Sequence, residues 1–153
     1  MTRAQILTEV KKYFTIKELV CNHAFAKFGE SAWGFLDDKY LHTLLILRRD
    51  VLKLSMVCNT STAFQRGLRC NMCDLVDTKK AIYLSAHIFG KAGDFTVLGM
   101  DIKAVWAKIE ENKALLPYPI RIENTASTGP VTWLHFDVLD YAQNGQKITY
   151  IAG

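Results

Sequence analysis

Ser85-Ala86-His87-Ile88-Phe89-Gly90-Lys91-Ala92-Gly93-Asp94 sets a histidine and an aspartate seven positions apart, with glycines between them. A second polar group follows in Trp133-Leu134-His135-Phe136-Asp137. Period-two alternation puts Trp133, His135 and Asp137 on one face of a strand and Leu134, Phe136 and Val138 on the other, the natural core face. Taken alone, a histidine and an aspartate opposite an apolar row are solvated strand positions. The second cluster at His87 and Asp94 changes the weighing. Two imidazoles and a carboxylate converging from separate elements are the donors of a three-ligand zinc site with a fourth position open to water.

Working outward, Val131 to Asp140 is the clearest strand, and Ala92 onward reads as another, with Phe95 and Val97 inward. Ala81–Leu84 is expected to be a strand delivering Ser85 and His87, and Ile120–Glu123 a short strand before a turn-rich loop. Asn144-Gly145, between Tyr141-Ala142-Gln143 and Lys147-Ile148-Thr149-Tyr150, is a type I′ hairpin signal. Upstream the period is helical. Thr2 and Gln5 form a capping box, as do Thr15 and Glu18. Asp37 or Asp38 caps a helix running to about Leu54, with Leu41, Leu44, Leu45, Val51 and Leu52 as its buried stripe. Asp101 opens a helix striped by Ile102, Val105, Trp106, Ile109 and Leu116, which Pro117 and Pro119 stop. Asn22 to Gly34 reads as an irregular loop, Ser55–Asn59 as a short buried strand, and Asp74–Lys80 as a helical turn. Helices first and an antiparallel-looking sheet later make the class α+β.

The chain has 153 residues, half of them apolar and 22% charged, which suits one domain over residues 1–153 with a proper core. No apolar run reaches a membrane span, and the N-terminus opens directly into an amphipathic pattern without a signal-peptide core. The net charge of +4 is spread over scattered basic pairs, so no nucleic-acid surface is expected. Of the four cysteines, Cys70 and Cys73 have metal-like spacing, but a lone CxxC is half of a structural zinc site. A second metal beside Arg69 is one reading of them, but reduced packing residues are the preferred one, and Cys21 with His23 is too isolated to argue a site.

Ser85-x-His87-x-x-Gly90-x-Ala92-x-Asp94 followed by His135-x-Asp137 resembles the signature of zinc D-Ala-D-Ala peptidases of the M15 type, within the group sharing the Hedgehog/D,D-peptidase fold. Gly67-Leu68-Arg69 resembles the family's Ser-Gly-Tyr-Arg element, with Arg66 where serine is usual. Tyr13-Phe14-Thr15-Ile16-Lys17-Glu18-Leu19 resembles the opening of its C-terminal-type catalytic domains. The resemblance implies a small antiparallel sheet packed with N-terminal and central helices. It also implies Zn2+ held by His87, Asp94 and His135, and substrate engaged by Arg69 and Ser85. Trp133 shares the face of His135 and is expected to line the pocket.

One position departs from the pattern. Thr132 stands three residues before His135, where many members carry an acidic general base, and a threonine hydroxyl does not accept a proton near neutral pH. Glu123 and Asp137 are the two carboxylates that could replace it. Glu123 is the expected base, with Asp137 orienting a zinc-ligating imidazole. The implied activity is hydrolysis of an amide bond in peptidoglycan peptides, as a D,D-carboxypeptidase or an endolysin-type endopeptidase. The implied setting is a monomeric phage or prophage lysin, cytoplasmic until release, acting on bacterial peptidoglycan without entering the membrane. The alternative is a catalytically weak or inactive cell-wall binding or phage structural module.

Overall fold

The computed structural model describes residues 1–139 and 145–153. Among them are six α-helices and five β-strands, in the α+β order expected. The helices are α1 (Arg3–Val10), α2 (Ile16–Leu19), α3 (Asn22–Phe28), α4 (Asp38–Ile46), α5 (Asp74–Asp77) and α6 (Ile102–Glu111). The strands are β1 (Met56–Val57), β2 (Ala92–Val97), β3 (Ile120–Thr125), β4 (Leu134–Asp137) and β5 (Ile148–Ala152).

The caps read from sequence are made. The Thr2 hydroxyl accepts from the Gln5 amide while the Gln5 side chain accepts from the Thr2 amide, and the Glu18 carboxylate accepts from the Thr15 amide at 2.8 Å. Asp37 accepts from the amides of Lys39 and Tyr40, and Asp101 from those of Lys103 and Ala104. Each supplies acceptors for amides that a helix start leaves unpaired. Tyr40, Leu41, Leu44 and Leu45 are all buried, so α4 is the central helix of the core. It continues as a π-helical stretch over Leu47–Leu52 and ends at Lys53, which takes a left-handed φ of 58°.

Asn22–Gly34, expected as a loop, is α3 followed by a 3-10 turn over Gly29–Phe35. Its cap is a thiol: Cys21 Sγ accepts from the Ala24 amide at 3.5 Å. Ala81–Leu84, expected as a strand, is not one. Among the described residues no neighbouring strand offers it a ladder, and Ile82 is left 91% exposed.

The sheet order is β1-β2-β4-β3-β5. The first three pairings are antiparallel, but β3 pairs with β5 in parallel, so the sheet is mixed rather than antiparallel throughout. The first arm and the tip of the expected hairpin, Tyr141–Asn144, lie outside the described residues. Its second arm belongs to β5, against β3. The regular part of the Val131–Asp140 strand is Leu134–Asp137, and Asp140 too lies outside the described residues.

One face of the sheet makes the core. Phe136 stacks between Tyr40 at 5.4 Å and Phe95 at 5.7 Å, Phe14 meets Phe95 edge-on, and α6 packs on β4. The opposite face of β2, β4 and β3 carries the polar residues, and the segment between β1 and β2 lies over it. Two glycines fix that segment. Gly90 has φ +67°, and a Cβ there would strike the Phe35 carbonyl oxygen. A Cβ on Gly67 would strike the backbone of Leu19, beside the parallel bridge between Val20 and Leu68.

Candidate metal centre and its cleft

Strand register builds the site. Asp94 on β2 lies directly opposite His135 on β4, which lies directly opposite Glu123 on β3. Two residues along, Ala92, Asp137 and Arg121 form the next row. Side chains directly opposite on one face are neighbours, so Asp94, His135, Glu123, Asp137 and Arg121 share a surface. The Ala86–Gly90 turn adds His87 from above.

The three expected ligands meet. One donor atom each from His87, Asp94 and His135 falls within 4.8 Å of the others. Asp94 Oδ1 lies 2.7 Å from His135 Nδ1, and its Oδ2 lies 3.5 Å from His87 Nε2. The remaining ring nitrogens are both held from behind. His87 Nδ1 sits 2.8 Å from the Gly67 carbonyl, and His135 Nε2 sits 3.0 Å from Asp137 Oδ2. Backing of this kind sets tautomer and ring orientation in metal-binding histidines.

Asp137 is fully buried and its oxygens are in use. Arg121 donates to it through Nε at 2.8 Å and Nη2 at 3.0 Å, a bidentate pair, and the Leu139 amide donates at 3.0 Å. Burial works to raise the Asp137 carboxyl, but the bonds from His135 and Arg121 outweigh it and hold it below its ordinary value. The same competition at Asp94 is won by the two imidazoles, which keep it well below the carboxylate range. For His135, burial opposes the charged ring, yet the bonds to Asp137 and Asp94 raise it to about 9. The imidazole bridges the Asp94 and Asp137 carboxylates through its two ring nitrogens.

Arg69 donates from Nη2 to Asp94 at 3.3 Å and from Nε to the Gln65 carbonyl at 2.6 Å. The Ser85 hydroxyl accepts from the His87 amide, holding the turn. All eight residues expected from sequence line one cleft of about 280 Å³: His87, Asp94 and His135, the carboxylates Glu123 and Asp137, and Arg69, Ser85 and Trp133. The Glu123 side chain makes no hydrogen bond or ion pair among the described residues, and its carboxylate lies beside Gly153. A wider groove of about 900 Å³ shares Arg69, Asp94 and Trp133 with this cleft and runs on past Arg66 and Leu75. Thr132 lies in that groove and is exposed. Arg66, at the departed serine position, is a brace: its guanidinium donates to the Cys58 carbonyl at 2.9 Å and to Thr96 Oγ1 at 3.1 Å.

Sequence reasoning missed a second cluster. Cys21, His23, Cys70 and Cys73 bring four donor atoms within 4.8 Å of one another and could bind a metal. The reading of Cys21 and His23 as isolated needs correction, and Cys70 and Cys73, read as packing residues, stand beside them. The signal present was a CxH segment facing a CxxC segment, 47 residues away from His23 to Cys70. Compared with known proteins, the chain matches no family model, no curated protein and no solved structure.

Proposed function

We propose that the chain is a zinc peptidase of the M15 type, with a Hedgehog/D,D-peptidase-like fold, that hydrolyses an amide bond in the peptides of bacterial peptidoglycan. The observation that carries this reading is the convergence of His87, Asp94 and His135 in a cleft that also receives Arg69, Ser85 and Trp133. Two nitrogens and one carboxylate oxygen are a donor set that suits Zn2+ with a position left open. When bound, the metal supplies a Lewis acid that polarises the scissile carbonyl and brings the pKa of water to around 7.

The chain's own residues do the rest. His135 would hold the metal through Nδ1, with the proton on Nε2 held by Asp137. Asp137 in turn is held by Arg121 and has no oxygen to spare for a second proton acceptor role. Glu123, opposite His135 and without a partner among the described residues, is the proton shuttle. Arg69 binds a substrate carboxylate or carbonyl through its planar fork. Trp133 forms a wall where the cleft opens into the wider groove, which has room for an extended peptide. Deployment like that of a phage lysin, with release to the wall, is the setting this activity suits.

Zymography on purified cell walls, with and without chelator, tests the reading. Clearing that chelator removes and zinc restores is the expected result. Absence of clearing on every wall type, with metal bound at His87, Asp94 and His135, would leave the alternative of a module that keeps the site and has lost turnover. The exposed threonine at 132 is what favours that alternative. The two carboxylates separate by substitution. Glu123→Gln should lower turnover by about 10²–10⁴-fold with metal retained. Asp137→Asn should weaken metal binding by about 10–100-fold, and excess zinc should recover much of its activity. Full activity in a zinc-loaded Glu123→Gln variant would remove the shuttle assignment.

A further inference from the structure

We propose that Cys21, His23, Cys70 and Cys73 form a second zinc site, structural in kind, with four protein ligands and no open position. Three thiolates and one imidazole are among the commonest structural zinc sets. Tetrahedral ligands at about 2.3 Å from a metal lie roughly 3.7 Å from one another. His23 Nδ1 sits 3.8 Å from Cys70 Sγ and 3.9 Å from Cys73 Sγ. His23 is exposed, so its ring has water as an alternative partner, and it turns Nδ1 onto two sulfurs instead. Cys21 and Cys73 are fully buried and Cys70 is half-buried, which puts the cluster at the protein surface with its imidazole outermost.

The backbone around the cluster is already arranged. The Cys73 amide donates to the Cys70 carbonyl at 3.1 Å, and the Met72 amide points at Cys70 Sγ at 3.4 Å. Amides directed at a ligating sulfur are the kind of outer support that metal thiolates carry. The two ligand segments are joined before any metal arrives. The Leu68 amide donates to the Leu19 carbonyl at 2.9 Å and the Cys21 amide to the Leu68 carbonyl at 2.8 Å. Two ligands come from the start of α3 and two from the segment that enters α5, so the metal would cross-link the helical layer to the long segment over the sheet. The helix it leads into adds little anchorage of its own: α5 is four residues long and none of them is buried. Arg69 precedes Cys70 directly, and its amide donates to the His87 carbonyl at 3.2 Å. The cross-link would therefore end one residue from the cleft.

This assignment does not rest on the peptidase reading, and cobalt distinguishes the two, because only this site contains sulfur. The full chain, reduced and loaded with Co2+, should show thiolate-to-cobalt charge-transfer absorption, and elemental analysis should give two equivalents of zinc in the zinc-loaded form. Cys70→Ser with Cys73→Ser should lose the absorption and one equivalent. His87→Ala with His135→Ala should lose one equivalent and keep the absorption. His23→Ala removes a ligand at an exposed position and should weaken binding at the sulfur site by at least the roughly 10–100-fold that loss of an outer-shell partner costs. No thiolate absorption in the cobalt-loaded wild-type chain would overturn the proposal, as would unchanged affinity in His23→Ala.

Discussion

On the proposed peptidase reading, replacing His135 with alanine is expected to lower peptide hydrolysis by on the order of 10³-fold or more, because several kcal/mol of metal assistance would go with it. The substitution removes a side chain that bonds to both Asp94 and Asp137. Two donors, His87 and Asp94, would remain, too few to hold zinc in competition with water. Asp137 would keep its Arg121 pair and Asp94 its contact with Arg69, so neither carboxylate is stranded and the chain should still fold. Metal content, measured beside wall-peptide release, should fall by one equivalent. Wild-type hydrolysis with undiminished metal would refute the assignment of His135.

The largest loss of stability is expected from the neighbouring residue. Phe136 follows His135 on β4, points to the other face, and is fully buried between the rings of Tyr40 and Phe95. Removing a buried phenyl typically costs about 3–5 kcal/mol, through lost transfer energy and the cavity left behind. Stacked rings add about 0.5–1.5 kcal/mol per pair beyond burial. Against a total stability of about 5–15 kcal/mol for a domain, Phe136→Ala should lower the thermal midpoint by roughly 10 °C. Differential scanning calorimetry reads this directly. A midpoint within 2–3 °C of the wild type, on the order of a single kcal/mol, would mean that the ring stack does not anchor the core.

These two neighbours also show what a sequence discloses. Alternation along Leu134–Asp137 separates core from site because a strand's period is local, and the caps at Thr2, Asp37 and Asp101 are local too. Trp133, His135 and Asp137 were legible from alternation along one strand and His87 with Asp94 from their own short cluster, whereas Arg69 and Ser85 were expected only through the family resemblance, because neither carries a local signal. What escaped depends on partners distant in the chain. Ala81–Leu84 has strand composition but finds no neighbouring strand among the described residues. The parallel return of β5 against β3 is not written in either strand. α3 begins at a thiol cap, an unusual one, and the cysteine cluster unites two half-motifs that are each ambiguous alone.

β4 lies between β2 and β3, and all four of its residues are buried. Its amide protons should therefore be among the slowest in the molecule to exchange with deuterated water, since releasing them requires undoing the sheet. Amides of the exposed Lys79–Leu84 stretch should exchange orders of magnitude sooner. Asp94 and His135 thus stand on a slow frame, while Ser85 follows directly on a faster one. A ligand entering the cleft would register as new protection almost wholly on the second.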